Sequence, residues 1–154
     1  MDPTAFRAYL SEFNAGNYDA LVRYYADDVL FSFGHGPTLR GRDAVVAFYR
    51  PFHEHVQETV EIQFLVMDHR HVAVELATEF RAVKDFDQFT RGPLKAGDVV
   101  RLTSFVHYDV DPAGRFAAIR VGSYGEPARN AALVTSAAAR VTGAWPRAGL
   151  AATA

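Results

Sequence analysis

Apolar residues Phe6, Leu10 and Phe13 recur at the spacing of one helix face, and Asn14-Ala15-Gly16-Asn17 follows with residues that tolerate a left-handed helix stop. This predicts a first helix. Tyr18, Leu21, Val22 and Tyr25 repeat the period, with Asn17 or Asp19 placed to cap and Asp27-Asp28 to close, which predicts a second. At Val29 the period drops to two: Val29, Phe31 and Phe33 alternate with Leu30 and Ser32 until Gly34-His35-Gly36-Pro37 breaks the strand. A short strand over 38–41 and a third helix opened by Asp43, carrying Val46, Phe48, Tyr49 and Phe52, come next. Strand patterns then cover 59–67, 71–84, 98–110 and 115–124.

In the long strands the alternation assigns faces. Val72, Val74, Leu76, Thr78 and Phe80 share one side with Leu102, Ser104, Val106 and Tyr108. Glu75, Glu79, Arg81, Arg101 and His107 take the other, where cross-strand ion pairs or a dimer contact account for them. A register slip of one residue would exchange the faces and bring Glu79 and Arg101 inside. The segment Asp85 to Asp98 is a long connection, either a lid or a plain surface loop. From Pro127 onward small residues dominate, with a weak helix over 128–141 and a disordered end, so the chain divides into one domain, 1–126, and an Ala-rich extension, 127–154. Helices followed by long antiparallel strands give an α+β class, with three helices packed on one face of a curved sheet.

Composition narrows the partners. The chain has 154 residues, a net charge of -2 and no cysteine, so disulfides and thiol nucleophiles are out and nothing favours phosphate backbones or anionic lipid. Neither nucleic acid nor membrane is expected. No signal peptide is legible, and a cytoplasmic location is the expectation. Twelve Phe and seven Tyr ask for a large apolar pocket or interface.

Tyr24-Tyr25-Ala26-Asp27-Asp28-Val29, followed by Leu39-Arg40-Gly41-Arg42-Asp43-Ala44-Val45-Val46-Ala47-Phe48-Tyr49-Arg50, resembles the signature of SnoaL-like and ketosteroid-isomerase-like proteins of the NTF2-like superfamily. The resemblance implies an α+β cone and leaves the reaction open, since this superfold hosts isomerases, cyclases, dehydratases, epoxide hydrolases, lyases and non-catalytic modules. It places Tyr9 where ketosteroid isomerases keep the phenol that donates to the substrate oxyanion, and Tyr25 and Tyr49 where further tyrosines stand behind it. It also implies departures. The isomerase base falls at Phe33, which cannot take a proton, and the second oxyanion donor falls near Ser104.

Two histidines stand in as bases. His35 lies two residues beyond Phe33, so strand parity points it inward, and an imidazole of pKa about 6.5 exchanges protons near neutrality. His53 follows Tyr49 by four residues, on the same helix face. The His53/His55 and His69/His71 pairs suit a metal poorly, because ligands two apart diverge on a helix and the second pair flanks a turn. No metal is expected, and no cofactor, since no phosphate-cradling glycine motif follows a strand. Phe13, Phe31, Phe33, Phe52, Thr78, Phe80, Leu102, Val106 and Ile119 complete the wall of a pocket for a small hydrophobic, aromatic, polyketide-like or steroid-like molecule. Two functions follow: a cofactor-independent isomerase, cyclase or lyase using Tyr9, His35, Tyr49 and His53, or a non-catalytic binding or dimerisation module of the same fold. A homodimer is expected in either case by the family resemblance. Epoxide hydrolysis ranks last, for want of an Asp-Arg-Asp set.

Overall fold

A computed structural model describes residues 1–34 and 36–130 of the chain. His35 lies outside the described residues, as do 131–154 and with them most of the expected weak helix.

Helix α1 spans Pro3–Asn14, capped by the Asp2 carboxylate accepting from the Ala5 amide, and buries Phe6, Tyr9, Leu10 and Phe13 on one stripe. The second helix is shorter than the sequence predicts. α2 covers only Tyr18–Leu21, a 3-10 turn continues over Val22–Tyr24, and strand β1 begins at Tyr25 and runs to Phe33. The reason is tertiary: Tyr25 pairs with Phe116 of the last strand, and ladder bonds there replace the turn of helix that the 3.6 period alone suggests. Strand β2, Thr38–Arg40, returns along β1, and helix α3 occupies Arg42–His53. Its entry depends on Gly41, whose φ of 85° lies in the left-handed region and whose added Cβ would stand 3.3 Å from the Asp27 carbonyl. Pro51 lies inside α3 and has no amide to bond the Ala47 carbonyl one turn back.

Strands β3 (Val56–Met67), β4 (His71–Ala82), β5 (Val99–Val110) and β6 (Phe116–Arg129) complete a six-stranded sheet in the order β2-β1-β6-β5-β4-β3, mixed because β1 and β6 are parallel. β6 runs beyond the expected 124, pairing Val100 with Arg129, so the first residues of the C-terminal extension are sheet, and Ala128 and Arg129 are strand rather than helix. The three helices pack on the concave face of this open curved sheet, which makes the α+β cone. Val72, Val74, Leu76, Thr78, Ser104, Val106 and Tyr108 are buried against them, while Glu79 accepts from Arg81 and Arg101 at 2.8 Å on the outer face, so the face assignment holds.

One bulge redirects the third strand. Register shifts between Ile62 and Phe64, so Val56, Val60 and Ile62 face inward while Phe64 and Val66 turn out to solvent. The connection between β4 and β5 is folded onto the body. Phe86 and Leu94 bridge, and Phe89 and Leu94 are buried with Val56, Ala82 and Val100 in a small second core at the wide end. Each such apolar side chain taken from water contributes ~1.5–3 kcal/mol.

Candidate active site in the cone

Tyr9 and Tyr25 occupy the middle of the main core. Their hydroxyls lie 3.3 Å apart, and the Tyr9 ring meets Phe6, Tyr24, Tyr108 and Phe116 at centroid distances of 4.8 to 6.1 Å. Burial, then the neighbouring phenols, pushes Tyr9 well above the usual tyrosine range, and burial does the same for Tyr25 and Tyr108. These are permanently neutral donors. Tyr49 is separate from the pair: buried, with its pKa raised first by burial and next by the charge of Glu58, its hydroxyl makes no hydrogen bond among the described residues.

Around Tyr49, helices α1 and α3 and strand β1 assemble an aromatic cage. Phe13 stands edge-on at 5.4 Å, Phe31 at 5.9 Å, Phe48 at 5.3 Å and His53 at 5.3 Å, and Phe33 packs on Phe31 and Phe48 at 4.7 and 5.0 Å. His53 also touches Phe52, which leans on Phe80 and Phe89 of the wide end. The expected open hollow is therefore largely occupied by its own rings, as flat side chains collected in one place pack on each other. Phe33, Phe48, Phe52, His53, Phe80 and Leu102 are half-buried and form the rim; Val106 and Ile119 lie deeper, in the sealed core. Two concavities stand out on the outside instead, of about 330 Å³ on the outer sheet face and about 480 Å³ beside the start of α1.

Ser104 does not stand free as a donor. Its hydroxyl pairs with that of Thr78 at 3.0 Å, both buried, so each satisfies the other on the sheet floor.

The polar centre of the cage was only half visible in the sequence. His53, in the last turn of α3, bonds the Tyr18 hydroxyl through Nδ1 at 2.6 Å and the Glu58 carboxyl through Nε2 at 3.4 Å. Burial raises the pKa of Glu58, and the hydrogen bond and charge of His53 pull it back part of the way. Tyr18 is pushed up to about 12 by burial, against the Arg50 guanidinium 5.1 Å from its ring. Starting the third strand at 59 leaves Glu58 outside it. Extending the alternation back through Val56, Glu58 and Val60 turns one carboxyl toward the helices, which is the signal that finds it.

Curated protein sequences give no match. Solved structures give the same fold at low identity: a candidate polyketide cyclase from Xanthomonas campestris pv. campestris (23% identical, TM-score 0.65, covering 79% of this chain and 87% of that one) and an LEH-like epoxide hydrolase from M. tuberculosis (17%, TM-score 0.63, 79% and 80%). A computationally designed 17-OHP binder is also similar (18%, TM-score 0.62, 81% and 95%). No helix among the described residues is long and apolar enough to cross a membrane. The family model for the SnoaL-like domain matches residues 6–119, so the chain belongs to the SnoaL-like family of the NTF2-like superfamily.

Proposed function

We propose that this protein is a cofactor-independent enzyme that moves a proton on a small hydrophobic, ring-bearing molecule, as an isomerase, cyclase or lyase, inside the aromatic cage. The observation that supports it is the unpaired Tyr49 hydroxyl standing beside the His53–Glu58 pair in otherwise apolar surroundings. A phenol kept neutral by burial donates to an oxygen that gains charge, and such a preorganised donor is worth ~10²–10³ in rate. The paired imidazole and carboxyl supply the acid/base capacity that Phe33 lacks. A ligand enters by displacing the half-buried rim rings, trading ring-on-ring contacts for contacts of the same kind.

Binding of 2-naphthol, an enol mimic, tests this reading through its fluorescence. Tyr49→Phe should weaken it by roughly tenfold, the loss of one well-placed hydrogen bond. Equal affinity in the two proteins would remove Tyr49 from the site.

A second reading, a non-catalytic binding or dimerisation module, has its own support. Tyr9 is engaged by Tyr25, the cage rings fill their own space, and the outer sheet face exposes Phe64, Val66, Phe105 and Tyr124. Four strands of twelve or more residues present roughly 750 Å² at ordinary strand spacing, close to the ~800 Å² that each partner of a stable pair buries. Charges of both signs, Glu75 and Arg120, line the groove there, as a self-complementary two-fold contact needs. A second copy of this chain on that face is compatible with either reading.

A further inference from the structure

Both nitrogens of His53 are engaged. Nδ1 lies 2.6 Å from the Tyr18 hydroxyl and Nε2 3.4 Å from Glu58 Oε2; with Glu58 an ionised acceptor, Nε2 carries the hydrogen and the phenol donates to Nδ1. An imidazole held in this tautomer has no lone pair left for a substrate. Glu58 is different. Oε2 takes the imidazole, while Oε1 has no partner among the described residues; no side-chain oxygen there is both buried and unpartnered, so Oε1 opens on accessible space although the side chain is only 11% exposed. The Tyr49 ring lies 5.3 Å from the same His53 ring that Glu58 contacts, so the free phenol and the carboxyl have one imidazole as their common neighbour.

We propose that Glu58 is the catalytic base, receiving a carbon-bound proton on Oε1, and that His53 and Tyr18 are positioning residues that hold its other oxygen. The proposal rests on the acid/base function above and names the residue that performs it. The substrate class is a cyclic ketone with a hydrogen on the carbon next to the carbonyl. That C–H bond breaks, its electron pair forms the enolate, the proton passes to Oε1, and Tyr49 donates to the enolate oxygen. Oε1, open to accessible space, exchanges that proton with solvent, and a proton passes back from it to this carbon, or to a conjugated one in an isomerisation, so no oxidant or reductant is consumed.

Glu58 contacts His53 from α3, which is bonded in turn to Tyr18 from α2 and packs on Tyr49 of its own helix, so the carboxyl sits behind one imidazole and two neutral phenols. Burial makes the ionised Glu58 a stronger base than a solvent-exposed glutamate, and the imidazole offsets part of that rise.

The test uses the full chain and two probes. In D2O, deuterium entry into 1-tetralone is followed by NMR for wild type, Glu58→Gln, Glu58→Asp and His53→Gln, with thermal melts to confirm folding. Binding of 4-nitrophenolate, an oxyanion without an exchangeable carbon acid, is followed by its visible absorbance. Exchange should fall by about 10²–10⁴ in Glu58→Gln and less in Glu58→Asp, and His53→Gln should shift the pH profile rather than abolish the rate. Replacing the carboxylate by a neutral amide should tighten 4-nitrophenolate by roughly tenfold, because a like charge has been removed. Wild-type exchange in Glu58→Gln would overturn the assignment and leave the acid/base function standing. If wild type does not exchange, the acid/base function fails for ketones; tighter 4-nitrophenolate in Glu58→Gln would then still place Glu58 at the ligand, and unchanged affinity would overturn that too.

Discussion

His53 and Glu58 meet at 3.4 Å across the junction of α3 and β3, two residues from different elements whose pairing no periodicity announces. The pair holds a carboxyl in a place that disfavours its charge, and this has a measurable consequence for stability. A carboxyl whose folded pKa lies above its unfolded one leaves folding unpenalised while both forms are protonated, below about pH 4.5, and costs stability as pH rises through the folded value. Glu58→Gln carries no such charge. Its melting temperature relative to wild type should therefore rise by a few degrees between pH 4 and pH 8, measured by circular dichroism. A difference independent of pH would mean that Glu58 is solvated as an ordinary surface carboxylate.

The two tyrosine positions should separate in mutation. Tyr9→Phe removes one partner of the 3.3 Å hydroxyl pair in the sealed core and is expected to cost about 1–2 kcal/mol in denaturant unfolding. Tyr49→Phe removes a hydroxyl with no bonded partner, so its melt should stay near wild type while 2-naphthol affinity falls. The reverse pattern would return the donor role to Tyr9.

Much of the fold was legible in the sequence and the polar site was not. Strand parity from Val72 to Phe80 and from Leu102 to Tyr108 gave the buried face, because period two allows only two assignments and one is apolar. The run Tyr24 to Val29 followed by Leu39 to Arg50 carries the family resemblance, which in turn implies the place of Tyr9. The spacing of Tyr25 from Leu21 and Val22 fits a helix, and only the β6 partner makes it a strand. Glu58 is not legible in the same way, because a single inward carboxyl at a strand start has the pattern of a surface residue until its neighbours are known. The closing of the hollow by Phe13, Phe31, Phe33 and Phe48 depends on side-chain packing that alternation does not specify.

Gly41 should resist substitution. Gly41→Ala forces a side chain into a φ of 85° and within 3.3 Å of the Asp27 carbonyl, at an expected cost of about 1–3 kcal/mol in a chemical unfolding curve. A neutral result would show that the α3 entry relaxes freely.

On the outer face, Phe105 and Phe64 are 47% and 61% exposed in the groove lined by Glu75, His107 and Arg120. Phe105→Lys with Phe64→Lys should halve the mass seen by light scattering at micromolar concentration if two copies meet there. Wild type running as a monomer would dismiss this face as the contact.

Proton transfer within the cage is measured most directly by the rate at which wild-type protein places solvent deuterium on 1-tetralone, compared with the same concentration of the Tyr49→Phe, Glu58→Gln double variant. The rate should saturate with ketone and exceed that of the double variant by at least ~10². Equal rates, with both proteins folded, would contradict an acid/base enzyme and leave a binding module of the same fold.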